Sequence, residues 1–363
     1  IPAGYSIAQN AFNGCKFNGV TVSNGATLAA NCFRNNTGIS GRITLGGTAD
    51  VGTGAFQGCT GITAVTLQAG RTNIPTYLFS GCTALTGTLS LPAGLTTIGN
   101  HTFSDCSLNG PLSIPGSVQT IGISAFTRNK FTSLTTSGSV AGTRLTIMDN
   151  AFASAFTNLQ TPAALTIRSN QTIKANAYAS CGFTNVLIEA GAVLENAAFK
   201  GNTALKGRVT VNGASTIGSE AFMGCTGITG VAIAAGTTTI PASMFRECTA
   251  LVGRLTIPAS VTSLGDYAFY GCSGLTELSL PDAWLKAGGE STFENCSELQ
   301  RLYDGTTQSK TLTVGGPQFS TIPASLFLNC KKLDITRLVI AEGVTTVRQR
   351  AFMNLEKLRG ERS

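Results

Sequence analysis

The chain has 363 residues, of which 42% are hydrophobic and only 12% are charged, and its 25 basic and 18 acidic side chains give a net charge of +7. It contains no apolar run near the ~18 residues that a membrane-spanning helix needs, and no cluster of Lys and Arg interleaved with aromatic residues. Its composition therefore argues against a membrane-spanning segment and against a nucleic-acid partner.

The predicted elements recur along the chain around one aromatic residue per repeat, here called the anchor. All but one of the spacings between anchors are 21 to 26 residues. Five positions before the anchor stands Ile, Leu or Val in 14 of 15 cases, with Gly288 as the exception, and three positions after it stands Cys in ten cases and Asn in three. The anchors are Phe12, Phe33, Phe56, Phe79, Phe103, Phe126, Phe152, Tyr178, Phe199, Phe222, Phe245, Phe269, Phe293, Phe327 and Phe352. The repetition predicts about fifteen similar coils.

Each coil is predicted to contain one short β-strand between successive anchors. Residues 62–67 show the pattern, since apolar residues alternate there with small polar ones. Such a unit cannot bury its apolar side alone, so the coils are expected to stack as a solenoid with one continuous sheet face and short turns or helices opposite. We therefore predict the α/β class and a single leucine-rich repeat solenoid over residues 1–363, apparently cut within a repeat at both ends.

One coil shows the repeat most completely. It runs from Gly-Cys-Thr-Ala-Leu at 81–85, through Leu-Pro-Ala-Gly-Leu-Thr-Thr-Ile-Gly at 91–99, to Phe103. This order of residues resembles the BspA-like leucine-rich repeats, and the resemblance covers essentially the whole chain. The coils that end at Phe152 and Tyr178 have 26 residues each and the one that ends at Phe327 has 34, which leaves the strand positions open near 131–145 and 299–314.

A longer period is also present. The first five anchors map onto Tyr178 and the four anchors after it with a constant offset of 166 residues. Residues 33–103 and 199–269 share 34 identities over 71 positions without a gap. We therefore infer an internal duplication of residues 12–103 and 178–269.

The cysteines are predicted to be buried free thiols. Ten of the eleven, all except Cys32, stand three positions after an anchor. Stacked coils would hold their Cβ vectors parallel, whereas a disulfide requires them to converge. Asn36, Asn129 and Asn202 take the same position, which suits a small group that hydrogen-bonds the backbone of the next coil. No Cys or His spacing points to a metal site, and neither a metal nor a cofactor is expected.

Few residues could support catalysis. His101, the only histidine, stands two positions before Phe103 and is predicted on a surface turn. No nucleophile elbow accompanies it. The acidic residues between Glu277 and Asp304 are the one place for the carboxylate pair of a glycosidase, and a solvated loop is the simpler interpretation. We therefore expect no catalytic residues and a chain that is not an enzyme.

Ligand-binding residues are expected on the outward face of the sheet. In twelve coils with clear strands, the residue between the two inward apolar positions is Thr or Ser in nine. One interpretation is that β-branched Thr favours strands and keeps the open face soluble. The other is that the hydroxyls form a platform for a polymeric ligand. The candidates taken from this row are Thr44, Thr66, Ser90, Thr210 and Thr256.

Two further groups of candidates compete with this hydroxyl row. Arginines precede the first apolar strand residue in four coils, at Arg42, Arg208, Arg254 and Arg337. If these coils align, the arginines form a basic row that binds carboxylates or sulfates. Trp284 and Tyr303 lie in the irregular region, where exposed aromatic residues mark recognition. Alternatively, Trp284 fills the core space left by Gly288, which is the interpretation we favour.

The resemblance to BspA-like proteins implies a location at the cell surface or outside the cell. It also implies adhesion or recognition of a host extracellular-matrix protein, another cell-surface protein or a glycan through the solenoid face. A passive spacer that presents another domain is the first alternative. A carbohydrate-active enzyme is the second, weaker one.

Overall fold

In a computed structural model, residues 1–12, 14–137, 143–159, 163–213 and 215–358 are described, apart from the side chain of residue 283. The chain winds as a parallel β-solenoid of about 14 turns of about 23 residues, which confirms the predicted solenoid. It divides into two compact units, which are described separately. Unit 1 comprises Ile1–Ala163 and Asn170–Gly182, and unit 2 comprises Ala164–Ser169 and Phe183–Ser363.

Unit 1 contains two kinds of strand in each regular coil. The longer strands are β2 (Phe17–Val22), β4 (Ile39–Leu45), β6 (Gly61–Leu67), β9 (Pro111–Ile114) and β11 (Ser133–Thr136). The shorter strands are β1 (Ser6–Ile7), β3 (Thr27–Leu28), β5 (Asp50–Val51), β7 (Asn73–Ile74), β8 (Thr97–Ile98), β10 (Thr120–Ile121), β12 (Leu145–Ile147) and β14 (Gln171–Ile173). The sheets are β2-β4-β6, β9-β11, β1-β3-β5 and β7-β8-β10-β12-β14, and every pair is parallel.

Unit 2 repeats this arrangement. Its longer strands are β13 (Ala164–Ile167), β15 (Asn185–Ile188), β17 (Gly207–Val211), β19 (Ile228–Ile233), β21 (Gly253–Thr256), β23 (Leu275–Ser279), β25 (Arg301–Asp304), β27 (Thr311–Val314) and β29 (Arg337–Ile340). The shorter elements are β16 (Val193–Leu194), β18 (Thr216–Ile217), β20 (Thr239–Ile240), β22 (Ser263–Leu264), the 3-10 helix η1 (Pro281–Ala283), β24 (Trp284–Leu285), β26 (Thr307–Ser309), β28 (Thr321–Ile322) and β30 (Thr346–Val347).

The long strands of unit 2 are divided between sheets and do not form one continuous sheet. Their orders are β13-β15-β17-β19, β21-β23-β25-β26, β24-β27-β29, β16-β18, β20-β22 and β28-β30. All these pairs are parallel except β25 with β26, which form an antiparallel hairpin within the 34-residue coil. The hairpin in that coil thus ends one sheet, and the following strand, β27, joins a different sheet with β24 and β29.

Strand registry places equivalent residues side by side. In unit 1, Ile43 pairs with Val65 and Thr44 pairs with Thr66, so inward apolar and outward hydroxyl residues each stack on their own kind. Because side chains alternate across a strand, the same registry buries Ile43 and leaves Thr44 partly exposed. The apolar pattern of the repeat therefore sets both the core and the composition of the sheet face.

The segments around the anchors form turns and not helices. In the coil of Phe56, the amide nitrogens of Gly54, Phe56 and Gly58 donate to the next coil at 2.9, 3.1 and 2.7 Å. The amides between them close local turns, as in Gln57 N to Gly54 O at 2.9 Å. In an α-helix, every amide beyond the first turn would donate to a carbonyl of the same helix. The helical part of the expected α/β class is therefore absent from the described residues, in which η1 is the only helical segment.

Two residues of every anchor turn adopt the left-handed conformation. They lie two positions before and two positions after the anchor, and each has a positive φ. Gly54 and Gly58 occupy them in one coil, whereas His101 (φ 54°) and Asp105 (φ 57°) occupy them around Phe103. Gly and Asn adopt this region at low cost, which explains their frequency at these positions.

The anchor rings form the centre of the core. In unit 1, successive anchor rings from Phe12 to Tyr178 stack with centroids 5.1 to 5.7 Å apart. In unit 2, those from Phe199 to Phe352 stack at 5.0 to 6.4 Å. The rings are close to parallel and, except for the half-buried Phe12 and Phe352, almost completely buried, so the hydrophobic contribution of each ring depends on the coil beside it.

Candidate functional site

The cysteines contribute to the structure and form no disulfides. Cys59 Sγ donates to Phe33 O at 3.0 Å, and Cys225 Sγ donates to Phe199 O at 3.0 Å. The acceptor is thus the anchor carbonyl of the preceding coil, so the predicted bond to the next coil is wrong. All eleven thiols are free, and burial raises the pKa of Cys225 to about 12. The prediction of buried thiols is confirmed for these residues, but it is wrong for Cys15, which is exposed.

Asparagine performs the same role as cysteine at this position. Asn129 Nδ2 donates to Phe103 O at 2.8 Å, and Asn36 Nδ2 donates to Phe12 O at 2.6 Å. Asn129 is almost completely buried. The predicted equivalence of Cys and Asn is confirmed, since both donate to the same carbonyl.

His101 has no catalytic surroundings. Its ring stacks on the ring of Tyr77 with centroids 4.7 Å apart and planes at 1°. Within the described residues, the imidazole forms no hydrogen bond with a hydroxyl, thiol or carboxylate. The residue lies on a surface turn, as predicted.

Three of the six acidic residues from Glu277 to Asp304 are paired with basic residues, and two of these pairs lie away from Glu277. Glu290 Oε1 accepts from Arg348 Nη1 at 2.9 Å, and Glu298 Oε1 accepts from Lys332 Nζ at 2.6 Å. The described residues contain no group of three or more His, Cys, Asp or Glu side chains placed to hold a metal ion.

The predicted arginine row is distributed over four sheets. Arg42 lies in β4 of unit 1, and its Nη1 donates to Thr66 Oγ1 at 3.0 Å. In unit 2, Arg208 lies in β17, Arg254 in β21 and Arg337 in β29. All four are exposed. The arginines therefore share a position in the repeat, but the sheets do not bring the unit 2 arginines into one uninterrupted row.

The placement of each hydroxyl candidate depends on whether its coil forms a long strand. Thr44 and Thr66 are paired neighbours in unit 1. Ser90 is exposed but lies outside any strand, because its coil forms no long strand. Thr210 is half-buried in β17, and Thr256 is exposed in β21. The outward orientation of this row agrees with the prediction, whereas its role in binding remains a prediction.

Arg254 takes part in a cluster of four residues, the arginine–tyrosine cluster, which consists of Arg254, Glu277, Arg301 and Tyr303. Strand registry places Glu277 opposite both Arg254 and Arg301. Arg254 Nε and Arg301 Nη1 each lie 3.0 Å from a carboxylate oxygen of Glu277. The guanidinium carbon of Arg254 lies 3.5 Å from the centroid of the Tyr303 ring. Two arginines, one carboxylate and one aromatic ring thus form a single surface.

The charges of the cluster reinforce one another. Partial burial opposes ionisation of Glu277, but the hydrogen bonds from Arg254 and Arg301 outweigh it and lower the pKa of Glu277. The hydrogen bond to Glu277 raises the pKa of both arginines. With one carboxylate between two guanidinium groups, the cluster keeps a net positive charge that can bind an anionic group.

Sequence reasoning missed Arg301. It precedes the apolar Leu302 just as Arg254 precedes Leu255, so it has the signal that identified the other arginines. The 34-residue spacing obscured the alignment of its coil. The β25–β26 hairpin continues from this strand, and Gly305 O in its turn accepts from Arg254 Nη1 at 3.4 Å.

Trp284 and Tyr303 lie in different places. Trp284 Nε1 donates to Gly315 O at 2.8 Å, and Lys286 Nζ lies 4.5 Å from the centroid of the indole ring. The indole lines a cavity of about 320 Å³, here called the tryptophan cavity, to which Tyr303 does not contribute. The cavity is lined by Ala259, Val261, Thr262, Trp284, Lys286, Gly315, Gly316, Pro317, Gln318 and Phe319.

Trp284 does not fill the core space beside Gly288, so the packing role favoured from the sequence is wrong. A Cβ placed on Gly288 would lie 3.1 Å from Phe319 Cζ and 3.1 Å from Leu326 Cδ1. These two side chains therefore fill the space that Ile occupies in other coils, and Trp284 remains partly exposed. In the sequence, Phe319 is marked only as the apolar end of the turn segment Gly-Gly-Pro-Gln-Phe in the 34-residue coil.

The stacked strands, anchor turns and outward polar sheet face define a leucine-rich repeat solenoid. Residues 5–135, 86–206 and 215–359 match the BspA type leucine rich repeat region, in six copies. The chain therefore belongs to the BspA type leucine-rich repeat family. None of its described residues forms a helix long and apolar enough to cross a membrane.

Solved structures of bacterial proteins are similar to this chain. A leucine-rich repeat protein from Bacteroides ovatus is 19% identical with a TM-score of 0.58, and the alignment covers 94% of this chain and 86% of that one. A leucine rich cell surface protein from Faecalibacterium prausnitzii is 20% identical with a TM-score of 0.38, over 95% and 83%. The pneumococcal vaccine antigen PcpA is 12% identical with a TM-score of 0.36, over 95% and 73%. No curated protein matches the chain.

Proposed function

We propose that this chain is a non-enzymatic recognition module of a cell-surface or extracellular protein, and that it binds its partner through the arginine–tyrosine cluster. The observation that carries the proposal is the contact of Arg254 with both Glu277 and the Tyr303 ring on the outward face of a sheet. The partner is an extracellular-matrix protein, another cell-surface protein or a glycan that presents carboxylates or sulfates.

The chemistry of the cluster suits such a partner. Arg and Tyr contribute most often to the energetic centre of protein interfaces. Glu277 and Tyr303 hold Arg254 in one orientation before a partner arrives, so little side-chain entropy is lost when the complex forms. The half-exposed Arg301 presents a second planar guanidinium group to a carboxylate or sulfate.

The test is the binding of the purified chain to a panel of extracellular-matrix proteins and of sulfated or carboxylated glycans. The double variant Arg254→Ala and Arg301→Ala is compared with the double variant Arg34→Ala and Arg350→Ala. The control arginines are exposed, lie in anchor turns and form no ion pair in the described part of the chain. Both variants remove the same charge.

We expect the wild-type chain to bind saturably to at least one member of the panel. Loss of the cluster arginines should weaken that binding by at least about tenfold, and loss of the control arginines by less than about twofold. Equal loss in both variants would show that only net charge matters and would refute the cluster as the site. Absence of binding throughout the panel would favour the passive spacer.

A further inference from the structure

The tryptophan cavity lies where the short-strand sheet of unit 2 is interrupted. β22 pairs only with β20, and β28 pairs only with β30. The coil between them contributes residues 286–288, which form no strand. Because Gly288 stands where the other coils have Ile, Leu or Val, this coil does not place the usual apolar side chain into the core beside β22.

Proline explains the other short-strand interruptions and the β28 side of this one, where Pro323 takes the equivalent position, but it does not explain the β22 side. In the coil of Phe103, Gly99 N donates to Ile74 O in the preceding coil at 2.8 Å. The coils after β5 and β18 carry Pro75 and Pro241 at the position of Gly99, and proline has no N–H to donate. The coil after β22 carries Gly289, whose amide donates instead to Thr292 Oγ1 at 3.0 Å.

The interruption leaves backbone donors unpaired. In a regular coil, the amides of Thr96 and Thr97 both donate to Thr72 O, at 2.8 and 3.2 Å. Among the residues that the structure describes, no backbone or side-chain acceptor receives the amides of Lys286, Ala287 or Gly288. Unpaired backbone amides are costly unless water or a ligand accepts from them.

The side chains beside these amides combine an aromatic surface with a positive charge. The Lys286 ammonium lies over the indole of Trp284 and forms no salt bridge within the described residues. The buried Val261 and Phe319 add apolar walls, and Thr262 and Gln318 add polar groups at the rim. A volume of about 320 Å³ lies at the lower end of the range for small-ligand sites.

The geometry points to a binding site for a pyranose that bears a carboxylate, such as a uronic acid residue of a glycan. The C–H face of the sugar packs against the Trp284 indole, and its carboxylate pairs with the Lys286 ammonium. One of its hydroxyl or ring oxygens accepts from the unpaired amide of Lys286, the residue of 286–288 that lines the cavity. The site does not include the arginine–tyrosine cluster, so it stands or fails independently of the proposed function.

Trp284 is the only tryptophan in the chain, so tryptophan fluorescence reports on the surroundings of this indole. The folded chain is titrated with sodium glucuronate, with glucose and with sodium benzoate. Glucose lacks the carboxylate, and benzoate lacks the hydroxyls of the sugar. The same titrations use Lys286→Met and the control Lys331→Met, in which an exposed lysine of unit 2 outside the cavity is replaced.

We expect a saturable fluorescence change with glucuronate, and binding of glucose and benzoate that is weaker by at least about tenfold. Lys286→Met should weaken glucuronate binding by about tenfold, whereas Lys331→Met should leave it within about twofold. Equal binding of benzoate would refute the sugar as the ligand class. Absence of a saturable change with glucuronate, or an unaltered affinity in Lys286→Met, would refute the site.

Discussion

Replacement of Asn129 tests whether the position three residues after the anchor stabilises the solenoid through hydrogen bonds. Asn129 forms three buried hydrogen bonds: its Nδ2 donates to Phe103 O and to Phe126 O at 2.8 and 2.9 Å, and its Oδ1 accepts from Leu108 N at 3.1 Å. Asn129→Ala removes all three bonds and supplies no other hydrogen-bonding group. At about 1 kcal/mol for each bond, we expect a loss of about 3 kcal/mol in the free energy of unfolding.

Asn129→Cys separates the donor role from the acceptor role. The thiol can donate to Phe103 O, as Cys106 Sγ donates to Phe79 O at 3.2 Å in the preceding coil. It cannot replace Oδ1 as a strong acceptor for Leu108 N. We therefore expect Asn129→Cys to lose about 1 to 2 kcal/mol, which lies between the wild type and Asn129→Ala.

Urea denaturation measures these differences, with Gln119→Ala as a control that removes an exposed amide side chain and should change stability by less than about 0.5 kcal/mol. Repeat arrays can unfold in parts, so hydrogen exchange of the Leu108 amide provides a local measurement. Protection of that amide should fall in both Asn129 variants. If Asn129→Cys is as unstable as Asn129→Ala, the bond to the anchor carbonyl contributes nothing and the argument is wrong.

Further predictions concern the thiols and the glycines at positions 315 and 94. Cys15 alone should react rapidly with maleimide in the folded chain, because burial raises the pKa of the others, to about 12 in Cys225 and Cys330. The unshifted pKa is 9.0, so the stability that the protonated buried thiols contribute is complete below pH 9.0 and falls as the pH rises toward about 12, which circular dichroism can follow. A flat stability curve over that range would contradict the burial. Gly315→Ala should lower stability by about 1 to 3 kcal/mol in urea, because φ is 104° and the new Cβ would lie 2.1 Å from Val344 Cγ2. Gly94→Ala, where nothing lies within 4 Å, should not.

The regular part of the fold could be predicted because each coil repeats the same physical requirement. The anchor, the apolar residue five positions before it and the donor three positions after it recur in order, and all of them meet equivalent residues in the neighbouring coil. The turns opposite the sheet were harder to predict. A residue such as His101 gives no sign of a positive φ, since only Gly and Asn mark that conformation in a sequence.

The irregular region could be predicted only in part. The sequence identified Trp284 and Tyr303 as candidates but treated them as one site, because spacing along the chain does not show that β24 and β25 enter different sheets. It also assigned the space beside Gly288 to Trp284, whereas Phe319 and Leu326 fill that space from the next coil. Both errors arise from the insertion, which removes the fixed offset on which the alignment of coils depends.

Both candidate sites lie where the repeat fails, and stacking itself gives the reason. In a regular coil, each strand amide and each inward side chain is matched by the coil beside it, so few donors or aromatic faces remain for a ligand. The 34-residue coil carries the β25–β26 hairpin, which places Tyr303 against Arg254, and it supplies the Gly315–Phe319 side of the tryptophan cavity. The preceding coil supplies Trp284 and Lys286 on the other side, where the Lys286 amide lacks an acceptor in the described structure. Shortening residues 304–307 to a direct turn should therefore weaken partner binding at the cluster while leaving glucuronate binding unchanged, because that hairpin contributes nothing to the cavity lining. Loss of both activities would show that the insertion acts only through the general stability of unit 2.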